Sequence, residues 1–297
     1  MRDLIFEEIY SRLSKNEKLS LLLGDLGVFQ ARNILRDFSD ISWNLGILEQ
    51  SMISFACGLS SHGFLPIVYS ITPFITERVL EQIKLDVSYN SFKIIFLSAG
   101  GTCDYSDLGP THHSPCDIAL IAMYPNIDFF LPFSATDSIE LFNISVDYVQ
   151  NSCYIRLKNG NDDAVNKYYS NKLVANVENF ENILESSHNV NIICDVGPDS
   201  IFMKEIDHYN TLFIKVRSSI ELRQLFIILM RITRSIPRIT IRCPFVTPIS
   251  IYQECLKLVS SIDCQSLKLL SVQNKYFDCV ISKQVYFSES HKEDVFI

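Results

Sequence analysis

The chain has 297 residues, 47% of them hydrophobic and 20% charged, with a formal net charge of -8 and a pI near 5.3. That length suits about two domains, and the apolar content is ample for two buried cores, which excludes intrinsic disorder. The acidic balance, without a stripe of clustered Lys and Arg, excludes a nucleic-acid surface and leaves a small-molecule enzyme or an assembly subunit.

Nine cysteines, an odd number with no CxxC pair in so long a chain, point to reduced thiols and a cytoplasmic setting rather than a disulfide framework. The first eight residues read as an acidic amphipathic helix, not as a secretory signal. The longest apolar run, around residues 225–230, is far too short to cross a bilayer, so no membrane partner is expected.

In chain order, the pattern predicts a helix over 3–15 and a buried strand over 19–26 that ends in Gly24-Asp25-Leu26-Gly27. Residues 39–44 then lead to Glu49, which opens a helix over 50–63 with Met52, Ile53, Phe55, Ala56 and Leu59 on a broad apolar face. A second strand is expected over 65–70, a helix carrying Arg78 and running to about 88, and a strongly strand-like run over 92–99 that empties into Gly100-Gly101. A helix over 116–124, a strand over 127–133, a helix over 136–149 and a strand over 153–157 follow. Strands alternating with helices at this spacing imply a parallel sheet covered on both faces.

This first domain is expected to span residues 1–160. A polar connection over 161–175 leads to a smaller α/β domain over 176–297, with strands near 190–196, 211–216, 238–242 and 267–272 and helices near 199–206, 219–235 and 248–261. The fold class is therefore α/β, two domains with mainly parallel sheets flanked by helices. Eight of the ten glycines fall at or before Gly109. Glycine marks tight turns and close backbone approach, so the chemistry is expected in the first domain.

Three constellations stand out there. Glu49 sits where a strand gives way to an apolar helix, next to helix N-terminal amides that favour its ionised form; taken alone it is also an ordinary first-turn acid. Pro73-Phe74 places an aromatic just after a strand. The long loop over 100–115 carries Asp104, Asp107, Thr111, His112 and His113, and loops of this length inside a compact domain are usually functional. Adjacent histidines project in different directions, which suits zinc poorly, and the sequence assigns no metal ligand to this chain. No GxSxG elbow, Walker A sequence or GxGxxG is present. An acid, a flat apolar face and a polar loop are what an aminopyrimidine cofactor requires.

Leu48-Glu49-Gln50 with the helix after it, then Gly63-Phe64-Leu65-Pro66-Ile67-Val68-Tyr69-Ser70, Gly109-Pro110-Thr111-His112-His113, Tyr124-Pro125-Asn126 and Tyr154-Ile155-Arg156-Leu157 together resemble the pyrimidine-binding domain of transketolase-like thiamine-diphosphate enzymes. The resemblance covers about residues 19–158. It implies that Glu49 shares a proton with N1′ of the aminopyrimidine and so activates thiamine diphosphate. It puts Phe74, or Ile75 one residue on, at the aromatic on which the pyrimidine stacks, and His112 at the histidine that faces substrate. His113 and Asp107 join His112 as candidate substrate-binding residues. Arg78 is placed near the cofactor, in a phosphate contact or a salt bridge.

Complete relatives carry a Gly-Asp-Gly stretch followed by Asn that holds magnesium and the diphosphate, and this sequence has none. Gly24-Asp25-Leu26-Gly27 is not that motif. The resemblance therefore implies the C-terminal subunit of a split transketolase, active only with an N-terminal diphosphate-binding subunit that supplies Mg²⁺, as a heterotetramer with two copies of each. The reaction implied is transfer of a two-carbon ketol unit between sugars or sugar phosphates. The alternatives are a deoxyxylulose-phosphate-synthase-like or 2-oxoacid-dehydrogenase-like subunit, or a non-catalytic assembly subunit.

Overall fold

The structure, a computed structural model, describes residues 1–15, 17–101, 104–158, 167–170, 172–180, 182–183, 191–197, 211–231, 239–243, 253, 267–271 and 295–296. The chain divides into two compact units, Met1–Gly160 and Asn161–Ile297.

The first unit opens with α1 (Arg2–Ser14), β1 (Leu19–Leu23), α2 (Arg32–Asp37), β2 (Ser42–Asn44), α3 (Glu49–Ser61) and β3 (Leu65–Ile71). It continues with a single turn α4 (Thr72–Ile75), then α5 (Leu80–Gln82) running into a π-helical turn over Ile83–Ser88, and β4 (Ile95–Ala99). It closes with α6 (Asp117–Ile121), β5 (Ile127–Phe130), α7 (Ala135–Asp147) and β6 (Ser152–Leu157). Six strands form one parallel sheet in the order β2-β1-β3-β4-β6-β5.

Strands β1 and β4 are buried at every position, as the continuous runs Leu-Ser-Leu-Leu-Leu and Ile-Phe-Leu-Ser-Ala require of strands covered on both faces. Helix α3 packs on β1 and β3 through Met52, Ile53, Ala56 and Cys57. Helix α1 buries Ile5, Phe6, Ile9 and Leu13 and lies against α7. There Arg12 donates to Asp147 at 2.9 and 2.7 Å, to Glu17 at 2.9 Å and to Asn143 at 2.9 Å.

The boundaries differ from the sequence reading in instructive places. Helix α2 was not anticipated, because Ile34 is its one fully buried residue and no apolar period announces it. Strand β4 begins at Ile95 rather than residue 92: Phe92 N–H donates back to Val87 O, and Ser91 takes a left-handed φ of 57°. Strand β5 stops at Phe130 because Pro132 lacks the N–H a longer ladder would need. Helix α7 then starts on a reciprocal cap, with Ser134 Oγ accepting from Asp137 N–H and Asp137 Oδ2 accepting from Phe133 N–H.

The second unit holds β7 (Leu173–Asn176), β8 (Asn191–Val196), β9 (Thr211–Val216), α8 (Ser219–Arg231), β10 (Ile239–Cys243), β11 (Leu267–Ser271) and β12 (Val295–Phe296). Its sheet runs β12-β11-β10-β8-β9-β7, parallel except for β12 against β11. Strand β7 is an edge strand drawn partly from the stretch read as a connection. The helices expected near 199–206 and 248–261 lie outside the described residues except for residue 253, as does the end of the helix expected over 219–235. The protein is thus α/β, with two mainly parallel sheets flanked by helices.

The order of the first sheet fixes where a ligand can sit. The chain leaves β1 for β2 on one side, then returns past β1 to β3 and proceeds to β4 on the other side. The connections after β1 and β3 therefore diverge, leaving a crevice beyond the carboxyl ends of these two strands, the usual ligand position in open α/β sheets.

Candidate functional site

The crevice is built by three short connections. Asp25, just past β1, has a left-handed φ of 55° and is held by Asn44 at the end of β2: Asn44 Oδ1 accepts from Asp25 N–H at 3.1 Å, and Asn44 Nδ2 donates to Asp25 Oδ1 at 3.0 Å. Asn44 Oδ1 also accepts from Gly46 N–H at 3.2 Å. This staple brings Gly24 against the start of α3, where a Cβ on Gly24 would lie 3.0 Å from Ser70 Oγ and 3.2 Å from Glu49 Oε1.

Glu49, the first residue of α3, is 1% exposed. Its Oε1 accepts from Ser70 Oγ at 2.9 Å, and its Oε2 accepts from Arg78 Nη1 at 2.6 Å. The Arg78 side chain is 36% exposed, so one oxygen is tied to the sheet and the other to a residue at the surface.

Phe74 comes from the α4 turn, which Pro73 opens at a position that tolerates the missing N–H. Buried Thr72 anchors this turn to the end of β4, donating to Gly100 O at 2.7 Å, and the Thr76 hydroxyl donates to Thr72 O at 2.7 Å. Phe74 and Ile75 part company here. Phe74 lines the crevice, whereas Ile75 is fully buried in the core. The Arg78 guanidinium carbon lies 3.9 Å above the centre of the Phe74 ring.

The histidine loop lies beside Phe74. Gly109 has φ of 80° and leads into a turn over Pro110–His112, and the His112 ring stands edge-on to Phe74 with centroids 5.2 Å apart. Tyr105 is a second ring neighbour of His112, at 6.3 Å. Burial first, then the nearby His113 and Arg78, push the His112 imidazole below its ordinary pKa and favour the neutral ring. His113 is buried and Asp107 is exposed, in the turn over Ser106–Leu108; like Arg78 and His112, they are not among the residues that line the crevice.

Below the loop, Ser114 Oγ donates to Glu77 Oε1 at 2.9 Å, joining the histidine segment to the one that carries Arg78. Fully buried Asp117 accepts from the Tyr154 hydroxyl at 2.7 Å and pairs with Arg156 Nε at 3.1 Å. Burial raises the Asp117 carboxyl and Arg156 opposes that shift.

The crevice itself is a cavity of about 140 Å³ lined by Gly24, Asp25, Leu26, Ile47, Glu49, Ser70, Ile71 and Phe74. An apolar cavity of ~150 Å³ admits benzene, so this one matches a single six-membered ring. Its lining has a carboxylate and an aromatic face for an aminopyrimidine, and the cation beside it, Arg78, is engaged with both Glu49 and Phe74. Among the described residues no group of three or more His, Cys, Asp or Glu side chains could hold a metal ion, and no helix is long and apolar enough to cross a membrane.

Residues 1–162 match the model of the family described as transketolase, pyrimidine binding domain. The chain belongs to this family. Among its transketolase relatives, an apulose-4-phosphate transketolase subunit of Actinobacillus succinogenes is 33% identical over 123 residues, 41% of this chain and 39% of the relative. The protein of the same name from Phocaeicola vulgatus is 34% identical over 112 residues, 38% of this chain and 36% of the relative. The matched part thus spans less than two-fifths of these curated relatives. A 1-deoxy-D-xylulose-5-phosphate synthase of Geobacter sulfurreducens is 27% identical over 38% of the chain and 17% of the relative. In fold, the chain resembles a split gene transketolase in an inactive β4 tetramer, with a TM-score of 0.67 over 93% of this chain and 90% of the other at 15% identity. It also resembles the transketolase of Campylobacter jejuni, with a TM-score of 0.63 over 87% and 40% at 14% identity.

The structure brings Glu49, Phe74, Arg78 and His112 together. Ser70, Gly24 and Asn44, which shape the crevice around Glu49, were not singled out from the sequence as site residues. For Ser70 the available signal was a hydroxyl at the carboxyl end of an apolar strand, the edge at which parallel sheets bind ligands.

Proposed function

We propose that the chain is the pyrimidine-binding subunit of a split, thiamine-diphosphate-dependent transketolase, transferring a two-carbon ketol unit between sugar or sugar-phosphate substrates. The observation that carries this reading is a carboxylate 1% exposed, Glu49, opening beside the Phe74 ring into a cavity the size of one aromatic ring. Family membership over residues 1–162 supports it.

Thiamine diphosphate, when bound, supplies a nucleophilic carbon that the side chains of a protein lack. Glu49 would hold or move a proton at the pyrimidine ring, and Phe74 would give that ring its flat apolar surface. His112, kept neutral, is able to accept a proton from substrate and return it. Asp107 and His113, which like His112 lie outside the cavity lining, would contact the substrate beyond the ring. The diphosphate and its Mg²⁺ fall to a separate subunit in this reading, because the sequence has no Gly-Asp-Gly stretch followed by Asn and no group of three or more His, Cys, Asp or Glu side chains among the described residues could hold a metal ion. We propose two copies of each chain per assembly. A cytoplasmic setting accords with free thiols at Cys57, Cys116, Cys153 and Cys194.

The test is reconstitution with a companion chain that carries the magnesium-binding Gly-Asp-Gly stretch. Apulose 4-phosphate, named in two relatives, is the first donor to assay. Ketol transfer is expected from the mixture and from neither chain alone; turnover by this chain without a companion would refute the split-site reading. The synthase relative favours a second arm with pyruvate, whose exclusive use would replace transketolase by a synthase-like reaction.

A further inference from the structure

Glu49 meets two partners of opposite character. Ser70 lies on β3, is 1% exposed, and is packed against Gly24 so closely that a Cβ on Gly24 would touch its hydroxyl. Arg78 reaches the other carboxylate oxygen from the surface on a long, flexible stem, 36% exposed. The same guanidinium lies close enough to Phe74 for a cation–π contact, 3.9 Å from guanidinium carbon to ring centre. It is therefore a planar, hydrogen-donating group that covers Phe74 and pairs with Glu49, both at once.

Those are also the two contacts an aminopyrimidine would make. Each carboxylate oxygen can accept more than one hydrogen bond, so the competition is for space: a ring that lies on Phe74 and donates to Glu49 needs the room now filled by one of the existing donors. Displacing Ser70 would leave a buried hydroxyl beneath the ligand, at a cost of an unsatisfied polar group. Displacing Arg78 returns a guanidinium already 36% exposed to water, the smaller loss of the two provided the ring takes over the pairing of buried Glu49. Without Arg78 or a substitute, the Glu49 carboxylate would stand buried with its charge uncompensated, which is strongly unfavourable.

We propose that Arg78 is an exchangeable counter-ion that keeps Glu49 paired and Phe74 covered until the pyrimidine ring of the cofactor takes both contacts over. Glu49 Oε2 is then the oxygen that works on the cofactor, while Ser70 holds Oε1 fixed throughout. Arg78 belongs to the site as a competitor of the ring, not as one of its ligands. This rests on the reading of the crevice as a pyrimidine site.

The test is the affinity of the reconstituted assembly for thiamine diphosphate with Mg²⁺, measured by calorimetry for the native chain, Arg78→Gln and Arg78→Lys. Removing a competitor held by one partly exposed ion pair and one cation–π contact predicts about tenfold tighter binding for Arg78→Gln, and a smaller gain for Arg78→Lys, whose ammonium retains charge but not the planar fork. A thermal unfolding scan of the free chain adds an independent readout. Free Arg78→Gln should melt lower than the free native chain, and in the reconstituted assembly it should gain more in melting temperature on adding the cofactor. Equal or weaker binding by Arg78→Gln overturns the exchange and leaves the cofactor reading intact. Binding by no form at all overturns both together.

Discussion

The hydroxyl of Ser70 donates to Oε1 of Glu49 at 2.9 Å, and both residues are 1% exposed. The bond aims the carboxylate, because its donor sits on a strand paired on both sides, to β1 and to β4. Ser70→Ala would leave a buried charged oxygen one donor short, which costs about 1–3 kcal/mol. Urea unfolding should show that loss, and cofactor affinity should fall with it. Ser70→Thr keeps the hydroxyl and should lose less. If Ser70→Ala bound cofactor as the native chain does, the bond would have no part in aiming Glu49.

Glu49→Gln retains the volume of the side chain and removes its charge. Proton transfer by a positioned group is worth ~10²–10⁴-fold, and a loss in that range is expected in kcat of the reconstituted enzyme. The fold should survive, since the amide can still accept from Ser70; a near-native far-UV spectrum and melting curve would establish that. Activity retained within a few-fold would remove Glu49 from the chemistry.

Gly24 is sensitive for reasons of space. A Cβ there would meet Ser70 Oγ at 3.0 Å, Ser70 Cβ at 3.1 Å and Glu49 Oε1 at 3.2 Å, all closer than ordinary contact. Since β3 is fixed on both sides, the expected response of Gly24→Ala is a shift of the Glu49 carboxylate by a few tenths of an ångström. A loss of about tenfold in cofactor affinity, ~1.4 kcal/mol, with little change in melting temperature is the predicted outcome. A drop in stability that leaves affinity untouched would contradict it.

His112 has a pKa below its ordinary value because burial, His113 and Arg78 all disfavour the cation. The unfolded chain therefore binds this proton more readily than the folded one. What neutral His112 contributes to stability is complete above about pH 6.5 and declines as pH falls through the lower folded pKa. The melting temperature of the native chain relative to His112→Gln should decrease between pH 7 and pH 5. Titration of the His112 ring by NMR should place its midpoint under that of a free imidazole, and a midpoint above it would reverse the prediction.

Much of this arrangement could be read from residues in order. Strands β1 and β4 announced themselves as unbroken apolar runs, and Glu49 stood out because it follows a strand and opens an apolar helix. What escaped was pairing across the sheet. Ser70 and Glu49 are 21 residues apart, Asn44 and Asp25 are 19 apart, and Tyr154 and Asp117 are 37 apart. Each pair exists because parallel register sets two strand or helix ends side by side, and no local pattern encodes that distance. Ile75 stayed open beside Phe74 in sequence for the same reason: the α4 turn decides which faces the crevice, and buried Thr72 fixes that turn against Gly100.

The placement of β6 has a consequence for how the first unit is made. This strand is last in the unit yet lies between β4 and β5, and among the described residues it is the sole sheet neighbour of β5. Until Leu157 has emerged from the ribosome, β4 presents an open apolar edge and β5 has nothing to pair with. Exposed edges of that kind template wrong pairing between chains. A version of this protein cut between Phe133 and Ser152 should accumulate as aggregate even though every residue around Glu49 is present, and the crevice will form only as the final strand slides into the gap.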